Sequence, residues 1–140
     1  MKTRLVWVTL GGLALSACAM APEAAPKLDG TQWTLQGADK GDLATASGRA
    51  VTIAFTGDRV SGNSGCNEYS AAYSVQGDVL TIGPVGATKR GCADEPMAVE
   101  RAWFATLGGP LTLTVRDDSL ELRGADGSVL RFVPGAAKPE

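Results

Sequence analysis

Histidine is missing from all 140 residues. Its absence removes the usual general base, the Ser–His and Cys–His nucleophile pairs, and the commonest transition-metal ligand. Cysteine is scarce: Cys18, Cys66 and Cys92 are the three. Clusters of Lys and Arg are lacking too. The 13 basic residues are scattered among 15 acidic ones for a formal charge of −2, and loss of Lys2 and Arg4 with a cleaved leader would bring this to −4. A phosphate backbone is bound by clustered cations, so the scatter argues against nucleic acid as a partner. No phosphate-cradling glycine motif occurs. The sequence therefore leads us to expect no catalytic residue, no cofactor and no metal.

What is present is ordinary globular material. A content of 44% hydrophobic and 20% charged residues is that of a folded chain, and the length suits one domain. The chain opens with Lys2 and Arg4, an apolar run over residues 5–15, and the small residues Ser16-Ala17 before Cys18. The run is too short to cross a bilayer comfortably, so residues 1–17 read as an export signal. Leu15-Ser16-Ala17-Cys18 resembles the bacterial lipobox, which implies that the leader is cut before Cys18 and that this cysteine is lipidated. An ordinary signal peptide cut near Ala19 or Ala21 is the alternative. Several acyl chains on one residue anchor stably, at about 0.8 kcal/mol per buried methylene. Ala19 after the modified cysteine implies outer-membrane sorting, with the domain facing the periplasm.

Residues 18–27, with Pro22 and Pro26, read as a lipidated flexible tether. The domain is expected over residues 28–134, followed by a frayed tail at 135–140. Within it, Trp33 and Leu35 mark a first strand, with a loop over residues 37–48. Val51, Ile53 and Phe55 then alternate with smaller residues at the strand period. Gly57-Asp58 and Gly77-Asp78 carry hairpin-turn chemistry. Tyr69, Tyr73 and Val75 suggest a strand bent near Ala71-Ala72. A helix is predicted over roughly residues 95–107, with Asp94 as its N-cap, Glu95 and Pro96 in the first turn, and Gly108-Gly109-Pro110 at its end. Val99, Trp103 and Leu107 share one face of it, which places Trp103 in the core and Phe104 at the edge. Three strands then follow, turning at Asp117-Asp118 and Asp126-Gly127.

Residues 62–107 are the organising stretch, framed by Cys66 and Cys92 around a hairpin. Once Cys18 is consumed by lipid, two cysteines remain, and an even count in an exported chain favours a disulfide. Two thiols alone make a poor zinc site, while a free buried pair is the other alternative. Ser64, in Gly62-Asn63-Ser64-Gly65, has nothing to activate it except a distant Lys or carboxylate and reads as a loop residue. Asp117-Asp118 reads as a solvated turn.

Leu28-Asp29-Gly30-Thr31 with Trp33, Ser61-Gly62 with Gly65-Cys66-Asn67, Tyr69-Ser70 with Tyr73, Leu80-Thr81-Ile82 with Gly83-Pro84, Thr88 with Cys92, and Glu100 follow one another along the chain. In this order they resemble the META domain, the group containing the heat-shock lipoprotein HslJ. Two positions depart from the pattern: Ala71 stands where a glycine often follows Tyr-Ser, and Gly91 where a bulkier residue often precedes the second cysteine. The resemblance implies an α+β fold, a β-rich barrel-like antiparallel sheet with one packed helix. It also implies a family without an established enzymatic activity, linked to envelope stress, antibiotic tolerance and secretion or virulence. The expected function is that of an envelope lipoprotein supporting stress tolerance or assembly. Its partners would be the membrane, through the anchor, and an envelope protein or lipidic ligand. A periplasmic inhibitor or chaperone inserting the loop of residues 62–67 is the second reading, and an atypical Ser–Lys or carboxylate hydrolase the third. Asn63, Asn67, Lys89 and Arg90, brought together by the framing cysteines, form the candidate binding surface. The competing reading is that the two asparagines satisfy turn backbone groups.

Overall fold

The computed structural model describes residue 18 and residues 26–44 and 49–135. The expected signal over residues 1–17, the tether over residues 19–25 and the tail beyond residue 135 lie outside the described residues. Cys18 is exposed and its thiol is free.

Among the described residues, nine strands and one helix follow in order: β1 (Thr31–Ala38), β2 (Thr52–Thr56), β3 (Arg59–Asn63), β4 (Glu68–Gln76), β5 (Val79–Ile82), β6 (Gly86–Ala87), α1 (Asp94–Leu107), β7 (Leu111–Arg116), β8 (Ser119–Arg123) and β9 (Val129–Pro134). All the pairings are antiparallel, in the sheet order β3-β2-β1-β9-β8-β7-β5-β4-β6. A further pairing, Val60 with Ala71 and Ser61 with Ser70, joins β3 to β4. That ladder closes eight of the strands into a barrel and leaves β6 outside the ring. Closure removes most of the edge that an open sheet of this kind would expose.

The period-two pattern of the strands decides what fills the barrel. Ile53 and Phe55, Leu111 and Leu113, Leu120 and Leu122, and Leu130 and Phe132 are buried. From α1, Val99, Trp103 and Leu107 join them, each one turn from the next. Trp103 lies 5.9 Å from Phe132 and 6.2 Å from Tyr69, ring centre to ring centre. The helix is therefore a stopper, seated at the pole where β1, β3 and β8 end. At the other pole are the turns Gly57-Asp58, Gly77-Asp78 and Asp117-Asp118, together with Leu28, which is buried there.

One local expectation is corrected. Ala93, extended at φ −61° and ψ 166°, is the N-cap, and Asp94 is the first helical residue without a side-chain cap bond. The Met97 N–H already bonds to the Ala93 carbonyl, which starts the helix one residue earlier than Asp94 as a cap would allow. Asp94 and Glu95 still suit the first turn through the helix dipole. Strand β4 runs unbroken through Ala71-Ala72, because β3 pairs with its first half and β5 with its second. Pairing on both flanks holds the strand through the small residues.

Candidate functional site

The turn between β3 and β4 and the start of α1 meet at the stoppered pole. Gly65 adopts φ +97°, a conformation suited to glycine, and a Cβ there would lie 3.0 Å from Val99 Cγ1. The turn thus brings its backbone against the helix and aims Ser64 and Asn67 at Glu100. All three side chains are buried.

Their polar atoms satisfy one another. The Ser64 hydroxyl donates to Glu100 Oε2 at 2.5 Å, short as bonds to a carboxylate are, and accepts from the Asn67 N–H at 3.0 Å. Asn67 Nδ2 donates to Glu100 Oε1 at 3.2 Å and Oε2 at 3.0 Å. Its Oδ1 accepts from Thr88 Oγ1 at 2.9 Å and from the Arg90 N–H at 2.7 Å. Nδ2 also reaches the Arg90 carbonyl at 3.2 Å, and Arg90 Nη2 donates to the Cys66 carbonyl at 3.0 Å. Cys66 and Cys92 are bonded as a disulfide, with their Cα atoms 6.0 Å apart. One asparagine therefore joins the barrel rim, the segment after β6 and the helix, and the disulfide fastens the same three parts covalently.

Deeper in the barrel wall, the Tyr69 hydroxyl donates to the Thr52 carbonyl at 2.8 Å. Burial pushes its pKa well above the ordinary phenol value, and the neighbouring Trp103 indole offsets part of that rise. The indole N–H itself has no hydrogen-bond partner among the described residues, so its influence is that of a nearby dipole. At the opposite pole, the Tyr73 hydroxyl donates to the Gly57 carbonyl at 3.0 Å. Its pKa is raised by partial burial first, and then by the charges of Asp29 and Asp58.

This geometry locates each expected site residue. Asn67 is 3% exposed and fully engaged, so its side chain is absent from the surface. Asn63 is half-buried and its Oδ1 accepts the Gly65 N–H at 2.8 Å, the turn-satisfying role. Lys89 and Arg90 are exposed. In the loop of residues 62–67, Ser64, Gly65, Cys66 and Asn67 are buried, which leaves little of it to insert into a partner. Ser64 as a nucleophile would need to leave Glu100 and reach solvent.

The centre of the network is Glu100, which the sequence marks only as part of the resemblance. One signal was available: a carboxylate one residue after Val99 and three before Trp103 sits on the apolar stripe of the helix. A groove of about 490 Å³ also opens between the second half of α1 and the β8–β9 turn, lined by Leu43, Ala102, Thr106 and Leu130. At its rim, Lys40 Nζ lies 3.6 Å from Asp126 Oδ2. Bonds from Ser128, and then the Lys40 charge, hold the Asp126 carboxyl below its usual range.

A small antiparallel barrel, closed on itself and stoppered by a helix that a disulfide and a buried Ser–Asn–Glu network fasten to its rim, defines the class of protein. The chain belongs to the META domain family, whose family model matches residues 26–137. Two solved structures share the fold. One, titled as the NMR structure of the protein from Burkholderia xenovorans, is 21% identical with a TM-score of 0.66, over 88% of this chain and 100% of its own. A second, titled as the NMR structure of the protein, is 19% identical with a TM-score of 0.61, over 76% of this chain and 90% of its own. No curated protein matches the sequence.

Proposed function

We propose that the protein is a non-enzymatic envelope lipoprotein, held at the outer membrane through Cys18, whose barrel binds another envelope protein or a lipidic ligand in support of stress tolerance or envelope assembly. One observation carries the binding role. The residues that mark the family, Gly65-Cys66-Asn67, Thr88, Cys92 and Glu100, act on one another and brace one pole of the barrel. Chemistry on a substrate would need some of these groups open to solvent; a binding domain needs a rigid frame for what lies around them. Cys18, exposed and with a free thiol, is available for acylation.

Labelling cells with a fatty-acid analogue tests the anchor. Wild type takes up label and fractionates with the outer membrane, whereas Cys18→Ala takes up none; equal labelling of the two overturns the lipoprotein reading. In-cell crosslinking followed by mass spectrometry tests the binding role, and serine-reactive probes test the absence of hydrolase activity. Labelling of Ser64 by such a probe in folded protein would refute the non-enzymatic reading.

A further inference from the structure

Closure of the barrel makes β6 the exception in the sheet. It pairs with β4 through Tyr69–Ala87 and Ser70–Gly86 and stands last in the strand order, with no strand on its other side among the described residues. Strand β7 covers the adjoining β5 only at Val79 and Leu80. An open edge thus begins where β7 stops and runs through β6.

The hydrogen-bond alternation says which groups that edge offers. The Thr88 N–H bonds inward to the Glu68 carbonyl at 3.0 Å, so Ala87, one residue earlier, forms the non-bonded pair with Tyr69. Its own N–H and C=O point away from β4. Gly86, Ala87, Thr88 and Lys89 are all exposed. The edge is also held in place: Thr88 and Arg90 are bonded to Asn67, and Cys92 to Cys66. A strand edge fixed in advance loses little freedom on pairing with another chain.

The flanking residues say what kind of strand would pair there. Pro84 and Lys89 are residue types that keep an edge from pairing with copies of itself. The Lys89 ammonium makes no ion pair among the described residues, and the Arg90 guanidinium is bonded to the Cys66 backbone carbonyl. The two cations beside the edge therefore favour a strand carrying carboxylates.

We propose that the outer edge of β6 is a strand-addition site for an extended acidic segment of a partner protein, Ala87 supplying the backbone N–H and C=O and Lys89 the charge. This rests on the reading of the domain as a binding module and locates its contact.

The test uses the full chain, with its disulfide intact, and a short end-blocked synthetic peptide alternating valine and glutamate. Binding is followed by fluorescence anisotropy and by amide hydrogen exchange. At saturation the Ala87 amide should exchange at least about tenfold more slowly, while the Thr88 amide, already bonded inward, stays unchanged. A peptide with lysine for glutamate, and one N-methylated along the edge that faces β6, should each bind at least about tenfold more weakly. Lys89→Glu should shift preference toward the lysine peptide. Ala87→Pro should abolish binding, with slow exchange at Thr88 showing that β6 still pairs with β4. No binding at millimolar peptide, or binding that leaves Ala87 exchange unmoved, overturns the proposal while the lipid anchor and other binding surfaces stand. Protection of Ala87 without peptide, together with a dimer in sedimentation, also overturns it, since a second copy would then hold the edge.

Discussion

The Asn67 carboxamide donates to both oxygens of the Glu100 carboxylate across the joint between barrel and helix. Neither residue has a water-exposed alternative, since both are buried. Asn67→Ala leaves that carboxylate short of donors and should destabilise the protein by roughly 2 to 4 kcal/mol. Asn67→Asp should be worse at neutral pH, because two carboxylates then share one site, and should recover on mild acidification as one of them takes up a proton. Urea unfolding of the two variants at pH 7 and pH 5 checks the ordering; equal stability of wild type and Asn67→Ala would remove the network from the account of the fold.

The disulfide and Asn67 hold the same segment by independent means. Replacing both Cys66 and Cys92 by Ala opens a loop whose ends are 26 residues apart and should cost on the order of 3 to 4 kcal/mol. The Arg90 amide should nevertheless remain slow in hydrogen exchange, because its bond to Asn67 Oδ1 at 2.7 Å survives. Combined with Asn67→Ala, the cysteine changes should depart from additivity by more than about 0.5 kcal/mol. Strict additivity would mean that the two fastenings do not act on one element.

Tyr69 makes stability depend on alkaline pH. The folded protein holds the phenolic proton more tightly than the unfolded chain does, because burial disfavours the phenolate. The associated stability is fully present below the unfolded value of 10.0 and is lost as pH rises beyond it toward the higher folded value. Wild type should therefore lose stability above about pH 10. Tyr69→Phe should flatten most of that slope, at a cost near neutrality of about 1 kcal/mol for the lost bond to Thr52. Melting temperatures between pH 7 and pH 11 distinguish the two.

Three glycines should respond differently to Ala. A Cβ on Gly62 would overlap the Thr52 carbonyl, the same oxygen that accepts the Tyr69 hydroxyl, so Gly62→Ala should cost roughly 1 to 3 kcal/mol. Gly65→Ala should fall in a similar range through its φ of +97° and the contact with Val99. At Gly91 a Cβ meets nothing within 4 Å, and the substitution should stay within about 0.5 kcal/mol of wild type. Thermal melts of the three proteins would show whether this ordering holds.

What the sequence disclosed followed from local chemistry. Alternation at Val51, Ile53 and Phe55 marked a strand, Gly57-Asp58 and Gly77-Asp78 marked turns, and the spacing of Val99, Trp103 and Leu107 marked the buried helix face, all as the structure has them. The disulfide between Cys66 and Cys92 was legible from the count of cysteines in a chain whose start reads as an export signal. The barrel was legible only through the family resemblance, because pairing Val60 with Ala71 depends on how the whole sheet curls and no local pattern encodes it. The burial of Asn67 was hidden for a related reason: its partners Thr88, Arg90 and Glu100 lie 21 to 33 residues away. An asparagine after a turn cysteine reads as a surface residue until those partners arrive. The displaced helix cap shows the reverse limit, since Asp94 had the right chemistry for a position that the backbone of Ala93 already filled.

The chain enters the barrel at Leu28 and leaves it at Gly135, and the two crossings share a pole: the Gly135 N–H bonds to the Gln32 carbonyl, and the Gly30 N–H to the Phe55 carbonyl. Both crossings thus lie at one pole, the crown, with the helix, the groove and the disulfide at the opposite pole, the mouth. A reporter domain joined after Gly135 would crowd the same end as the segment that runs back toward Cys18 and leave the mouth clear. The fold itself therefore recommends the carboxyl end for any label meant to leave the mouth of the barrel in working order.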